Sequence, residues 1–252
     1  MGTINDFFIP ENSVCNISEE AYAQAAIVVD SLKALARLNY QSIYVIDYFK
    51  KNFLYVCDNP LFLCGLKPKE VIKRGYLFYL NQIPKDEINM LLEINREGFR
   101  LFRETPVEQR LKLYISCDFH IIDQVGNKFL INHKLTPIIL TDNGNIWLAV
   151  CLVSLSPNQQ AGNIEAHIDG KENYWTYSLK YHKWEKQETV MLTDKEKEIL
   201  VYSAQGMTEE QIAACIDPGI HAIKFRKQKL FKKLGVNKMS SAISIAFLKK
   251  MI

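Results

Sequence analysis

The 252 residues contain no Cys-x-x-Cys pair, no His or Cys cluster with metal-ligand spacing, and no glycine-rich phosphate loop. No nucleophile stands beside a base in a recognisable motif, so neither catalysis nor a resident metal is expected. The six cysteines, Cys15, Cys57, Cys64, Cys117, Cys151 and Cys215, are scattered. Several sit in apolar runs, where cysteine behaves as a small hydrophobe; a disulfide framework or a zinc site is not expected. No apolar run reaches the roughly 18 residues of a membrane span, and no charged-then-apolar signal opens the chain. These absences point to a reduced, cytoplasmic protein with no membrane partner.

What is present is an ordinary globular composition, 48% hydrophobic and 23% charged, long enough for two domains. The net charge of +3 is unevenly spread. Residues 191–252 hold eleven Lys/Arg against six Asp/Glu, or +5, which leaves −2 on the other 190 residues. Within that basic end, "IHAIKFRKQKLFKKLGV" (220–236) has six Lys/Arg and no acidic residue. A solvated helix usually mixes signs, so this stretch suggests a polyanionic partner.

Residues 1–17 show no periodicity. Ser18 reads as an N-cap followed by Glu19 and Glu20. Ala21, Ala25, Val28, Leu32 and Leu35 then mark one helical face, which either packs on the next domain or forms a short dimer seam. "SIYVID" and "FLYVC" within 42–57 read as paired strands. A helical middle follows, with Pro60 starting and Gly65 ending a short helix and Pro68 opening another. Residues 85–103 form a clear helix with Ile88, Leu91, Leu92 and Phe99 roughly on one side. Three strands come next: "LKLYISC", with Leu111, Leu113, Ile115 and Cys117 on one face, then "KFLINHKL" and "IWLAVCLVSL". Gly126-Asn127 and Asn143-Gly144 are placed as turns nearby. The order predicts an antiparallel sheet with helices on one side, an α+β domain.

That order, and "TPIILTDNGNI" at 136–146, resembles the PAS sensory fold, through Pro137, Ile138, Asp142 and Gly144. The resemblance covers about residues 40–157. It implies a domain that binds a small molecule or cofactor, or pairs with another protein. No cofactor is singled out: there is no flavin-binding cysteine motif, and the 85–103 helix has no histidine to anchor haem. Tyr44, Tyr55, Phe62, Phe78, Phe99 and Phe102 are the candidate pocket aromatics, though aromatics also serve simply as core. His120 and His133 read as hydrogen-bonded packing residues on strands. After the polar "SPNQQAGN", the alternating "IEAHID" and "NYWTYSLKYHKW" predict a hairpin turning at Asp169-Gly170. Trp175, Tyr177, Leu179 and Tyr181 would share its apolar face. The PAS sheet, the linker or a second subunit would have to cover it.

"TDKE" at 193–196 and "TEEQ" at 208–211 are capping boxes, each opening a helix. Gly206 ends the first, Asp217-Pro218-Gly219 makes a turn, and the basic stretch forms a third helix closed by Gly235. Ser240 or Ser241 caps a fourth. A short helix, a tight turn and a basic helix make a helix-turn-helix. Ile223, Leu230 and Leu234 would face its core. His221, Lys224, Phe225 and Gln228 are the candidates for base contact, and Thr208, Arg226, Lys227, Lys232 and Lys238 for phosphate contact.

The run from Leu192 to Val236 resembles the LuxR/GerE-type DNA-binding domain of bacterial transcription regulators. Leu192-Thr193, Glu196, Glu198-Ile199-Leu200, Gly206, Thr208, Ile212-Ala213, Ile223-Lys224 and Lys233-Leu234-Gly235-Val236 carry the likeness. It implies an all-α four-helix module that binds double-stranded DNA as a homodimer. The chain departs from the family at Gly219 and Ala222, where Ser and Thr are usual, and at Arg226, where His is common. The expected organisation is an N-terminal segment and helix (1–38), a PAS-like sensor (39–157), a hairpin and linker (158–190) and the helix-turn-helix domain (191–252). The expected function is a transcriptional regulator whose sensor responds to a small-molecule or protein signal. The alternative is a PAS-mediated interaction module with an accessory basic domain.

Overall fold

A computed structural model describes residues 4–216 and 219–252; the expected turn residues Asp217 and Pro218 lie outside the described residues. The chain divides into two compact units, Met1–Gln187 and Glu188–Ile252.

The first unit is built on one antiparallel sheet. Its elements run α1 (Glu19–Leu38), β1 (Ser42–Asp47), β2 (Asn52–Val56), α2 (Pro60–Leu63), α3 (Pro68–Arg74), α4 (Leu77–Gln82), α5 (Lys85–Glu104) and α6 (Val107–Arg110). Six further strands follow: β3 (Leu113–Ile122), β4 (Lys128–Leu140), β5 (Ile146–Leu155), β6 (Gly162–Ile168), β7 (Asn173–Ser178) and β8 (Lys183–Glu188). The eight strands are ordered β2-β1-β5-β4-β3-β6-β7-β8. The first five make the expected PAS-like sheet: two strands, a helical insert, then three more. The expected hairpin extends this same sheet, because β6 pairs with β3 from Leu113↔Ile168 to Asp118↔Gly162.

One face of the sheet meets α2 to α5 and encloses most of the core. Inward residues of β3 alternate as the period of two requires: Leu113, Cys117, Phe119 and Ile121 are buried. Leu111, expected on that face, caps α6 and is exposed. The other face is partly covered by α1, whose Ala25 packs with Val45, Trp147 and Leu148. The helix meets the sheet through Ala25 and Val29, not Val28; Val28 and Leu35 of the expected face are exposed. Adjacent valines each satisfy helical spacing, and the sheet selects the second. Asp47 ties the two layers together. Its Oδ1 accepts from the backbone N–H groups of Phe49 and Lys50 at 2.9 and 3.0 Å, closing the β1–β2 turn, and its Oδ2 accepts from Tyr22 of α1 at 2.6 Å.

Helix α5 is pinned along its length. Glu87 accepts from the His120 backbone N–H at 2.6 Å and pairs with the His120 ring at 2.7 Å. Glu93 Oε1 accepts from Tyr177 at 2.7 Å and pairs with His182 at 2.6 Å. Trp184 donates to the Glu97 carbonyl at 3.4 Å. Thus α5 covers the hairpin's aromatic face, where Tyr177 is buried and Trp175 and Trp184 pack on the core. The sequence "NYWTYSLKYHKW" is not one strand. It breaks after Ser178, whose Oγ accepts from the Tyr181 N–H at 3.2 Å, and His182 takes φ 52°. Leu179 and Tyr181 therefore sit exposed in a turn.

Residues 4–12 are folded against this unit despite their lack of period. Two 3-10 turns, Ile4–Phe7 and Pro10–Asn12, bury Phe7 and Asn12. Asn12 acts as a short strand substitute: its amide donates to Ile146 O at 3.1 Å and its carbonyl accepts from Ile146 N at 2.9 Å. Isolated polar residues of this kind leave no periodic trace in a sequence.

Among its described residues the second unit has four helices, α7 (Asp194–Ala204), α8 (Glu209–Ile216), α9 (Gly219–Leu234) and α10 (Met239–Leu248), around Ile199, Leu200, Ile212, Ile223, Leu230, Ala242 and Ala246. Both capping boxes form: Thr193 with Glu196, and Thr208 with Gln211. The last helix begins at Met239 after Lys238, earlier than the expected serine cap.

Asn12→Ala orphans both main-chain groups of Ile146. The expected loss is about 1–3 kcal/mol of stability, read as a lower urea midpoint with an unchanged slope.

Candidate nucleic-acid interface and sensor cavity

Helix α9 is two-sided. Ile223 and Leu230 are fully buried and Leu234 packs beside them. The opposite side exposes His221, Lys224, Phe225, Gln228, Lys229 and Lys232. This row holds all four residues expected to contact bases. Phe225 is 56% exposed, with the Lys229 ammonium 4.5 Å from its ring centre. Arg226 is half-buried and Lys238 is exposed; neither they nor Lys232 have an ion partner among the described residues. Thr208 is committed to capping α8.

Three lysines of α9 have carboxylate partners that the sequence did not suggest. Lys227 Nζ lies 2.5 Å from Glu209 Oε1, and Lys224 Nζ lies 4.0 Å from the other oxygen. Lys227 is turned toward α8 and is only 20% exposed, so phosphate contact would require this pair to open. Lys233 meets Glu196 at 2.8 Å. Burial opposes charge on Glu196, but this lysine and the Thr193 cap outweigh it and hold the carboxyl below its ordinary range.

The first unit contains a cavity of about 110 Å³ between α5 and the inner face of the sheet. Leu91, Ile94, Gly98, Phe99 and Phe102 supply one wall, and Ile115, Phe119, His133 and Leu135 the other. No Asp, Glu, Lys or Arg lines it. Its polar lining groups include Tyr48, Tyr76, Tyr79, Asn95 and His133. His133 Nε2 meets the Tyr44 hydroxyl at 2.6 Å, and that hydroxyl also meets Tyr79. Burial pushes His133 down to about 4, so the ring is neutral near pH 7. Burial likewise raises the hydroxyls of Tyr44, Tyr76 and Tyr79 well above their ordinary value. These groups can exchange hydrogen bonds with a neutral guest but offer it no counter-charge.

Of the six aromatics expected at a pocket, Phe99 and Phe102 line the cavity. Tyr44, Phe62 and Phe78 pack behind it: Tyr44 stacks on Phe62 at 4.3 Å and Phe62 meets Phe78 at 4.9 Å. Tyr55 is on the wrong face, against α1 with Lys33 above its ring, because strand alternation turns it away from inward Val56. Reading by residue type missed Phe7, Asn95 and Gly98. Gly98 left a usable signal, since glycine inside a strong helical pattern often marks close approach: a Cβ there would lie 2.6 Å from Ile115 Cδ1.

Residues 190–246 match the family model of bacterial regulatory proteins, luxR family (GerE). The second unit is a LuxR-type DNA-binding domain. Most of the chain is also similar to structures of VqmA from Vibrio cholerae. One, of the dimer in the absence of target DNA, has 16% identity over 87% of this chain and 86% of that one, TM-score 0.33. Another, a VqmA–ligand–DNA complex, has 15% identity over 88% and 89%, TM-score 0.34. A PAS domain of a two-component sensor histidine kinase has 13% identity over 52% of this chain and 99% of that one, TM-score 0.36. The PAS-like fold of the first unit rests on its strand order. No curated protein sequence matches the chain.

The His133 shift sets a pH dependence. Its folded pKa lies below the ordinary value, so the unfolded chain binds the extra proton first. The stabilisation is complete above about 6.5 and is lost as pH falls toward about 4. Thermal melts of His133→Gln should show a flatter fall in Tm across that window than the unaltered chain.

Proposed function

We propose that this chain is a transcription regulator that binds double-stranded DNA as a homodimer and responds to a small uncharged molecule in its sensor cavity. The observation that carries the DNA-binding part is the exposed row on α9, basic and free of acidic residues, on a LuxR-type domain. A helix of this kind fits the major groove, with its N-terminal half toward base edges. His221, Lys224, Phe225 and Gln228 are assigned to bases; Arg226, Lys232 and Lys238 to phosphates, with Thr208 and Lys227 joining them if their present partners release. Pairing is supported by apolar side chains left in water. Ile27, Leu35 and Leu38 of α1 are 71%, 55% and 88% exposed, and a second copy would cover them.

The ligand reading is supported by the largely apolar cavity, which no Asp, Glu, Lys or Arg lines. An apolar cavity of ~150 Å³ is enough for benzene, so about 110 Å³ suits a guest of at most one ring. Thiol chemistry at the buried Cys117 and Cys151 is not favoured as the signal, because burial raises both thiols far above their ordinary value.

Lys224→Ala should weaken DNA binding by at least about ten-fold, in line with ~1–3 kcal/mol for a base contact. Anisotropy titrations at several salt concentrations read this. A dimer that neutralises ~4 phosphates per subunit gives a slope near −7 in log K against log salt; an unchanged affinity and slope in Lys224→Ala would overturn the reading. A native mass spectrum of the full chain should show a dimer with a small retained mass. Gly98→Ala, which drives Ile115 into the cavity, should lose that mass while the dimer persists.

A further inference from the structure

The two halves of α9 differ in charge once the acidic residues beside them are counted. The first half, residues 219–228, holds Lys224, Arg226 and Lys227, and the first turn of α8 sets Glu209 and Glu210 against them. The second half and the residues just beyond it hold Lys229, Lys232, Lys233 and Lys238, with Glu196 paired to Lys233. The half expected to meet base edges is therefore the more nearly neutral one.

This balance is a contact as well as a count. The Glu209 carboxylate spans two lysines, with Oε1 2.5 Å from Lys227 Nζ and Oε2 4.0 Å from Lys224 Nζ. The two are unlike: Lys227 is half-buried toward α8, while Lys224 is 57% exposed and only loosely held. Glu210, beside them, is exposed. Its main-chain N–H and the Thr208 hydroxyl hold its carboxyl below the ordinary range, and Lys224 adds to this. The helix dipole accounts for acidic residues in the first turn of α8. It does not account for Glu209 reaching a lysine 18 residues along the chain. On a surface that meets phosphates, that reach occupies one cation and adds a repelling charge.

We propose that Glu209 is a specificity-determining residue, which withholds Lys227 from the DNA backbone and so weakens binding to random sequence more than binding to the chosen site. The proposal rests on the DNA-binding reading above. Non-specific binding is almost entirely attraction to phosphates. In such a complex α9 has no single seat, and every lysine free to swing onto a phosphate adds affinity. Glu209 removes one such lysine from each subunit. At the chosen site, contacts from His221, Lys224, Phe225 and Gln228 to bases fix the seat of α9. There a base acceptor draws Lys224 from the looser side of the carboxylate, and Lys227, turned toward α8, keeps its partner. The penalty from Glu209 therefore falls mainly on the random complex.

The test uses the full chain and two duplexes of equal length, one recovered by binding selection from a random-sequence library and one with that sequence scrambled. Affinities are read by anisotropy at several salt concentrations. Glu209→Gln keeps the side chain's shape and removes its charge. It should bind the scrambled duplex at least about five-fold more tightly, with a salt slope steeper by about 2, at ~0.9 for each Lys227 released in a dimer. Its gain on the selected duplex should stay within about two-fold, so the selected-to-scrambled ratio falls. Glu198→Gln, which removes an exposed carboxylate from α7 of the same unit, should leave the ratio unchanged. Adding Lys227→Gln to Glu209→Gln should cancel the steeper slope. Lys227→Gln by itself should leave the slope on either duplex as it is, because a withheld lysine neutralises no phosphate; a flatter slope there overturns the proposal. An unchanged ratio in Glu209→Gln overturns it too, including the case in which both duplexes bind more weakly and Tm falls, which would assign the pair to holding α8 on α9. These results leave the DNA-binding reading intact. Failure of the unaltered chain to bind either duplex, under conditions where it is dimeric, overturns both.

Discussion

Two carboxylates on one helix, Glu87 and Glu93, tie the first unit together. Each is fixed by a histidine, His120 on β3 and His182 after β7, so α5 is anchored to the PAS-like sheet and to its extension at once. Its other side is the cavity wall. The energy in the partly exposed Glu93–His182 pair is modest, whereas Glu87 is buried beneath His120; their positions are not interchangeable. Any guest that displaces Leu91, Ile94 or Phe99 pushes on the helix that also holds Tyr177, His182 and Trp184. Those residues belong to the last strands before the chain enters the LuxR-type domain. The cavity wall and the hairpin thus share one mechanical element, α5.

Most of the architecture was legible because it is periodic. The helix over 85–103, the alternating strands and the two capping boxes all repeat or punctuate at fixed intervals, and the basic helix declared its partner through charge. The losses have local causes. Val28 and Val29 are equally apolar, and only the sheet decides which faces inward. The run after Asn173 alternates without interruption, yet Ser178 and His182 turn the chain, because a side-chain hydrogen bond and a left-handed backbone carry no period. Tyr55 was grouped with pocket aromatics by type, whereas its parity along β2 places it against α1. Phe7 and Asn12 act through single contacts more than a hundred residues distant in one case, and sequence spacing is silent about these.

The electrostatics of the LuxR-type domain show a similar division. The abundance of cations was plain, but their pairing was not. Glu209 and Glu196 each take a lysine from α9, so the charge available to a polyanion is smaller than the count of basic residues suggests. These pairs also lock α9 to α8 and α7. A positive helix must be held rigidly to read a groove, and here part of its charge is spent on that rigidity.

The eight-stranded sheet ends in β2 on one side and β8 on the other. Strand β2 is shielded by α3, whose Ile72 carbonyl is tied to Asn52. Strand β8, "KWEKQE", has charges of both signs at four of its six positions. An unguarded outer strand offers main-chain donors and acceptors to any neighbouring chain and seeds stacking into fibres. Alternating lysine and glutamate make such docking costly in desolvation, so the long sheet remains finite without closing into a barrel.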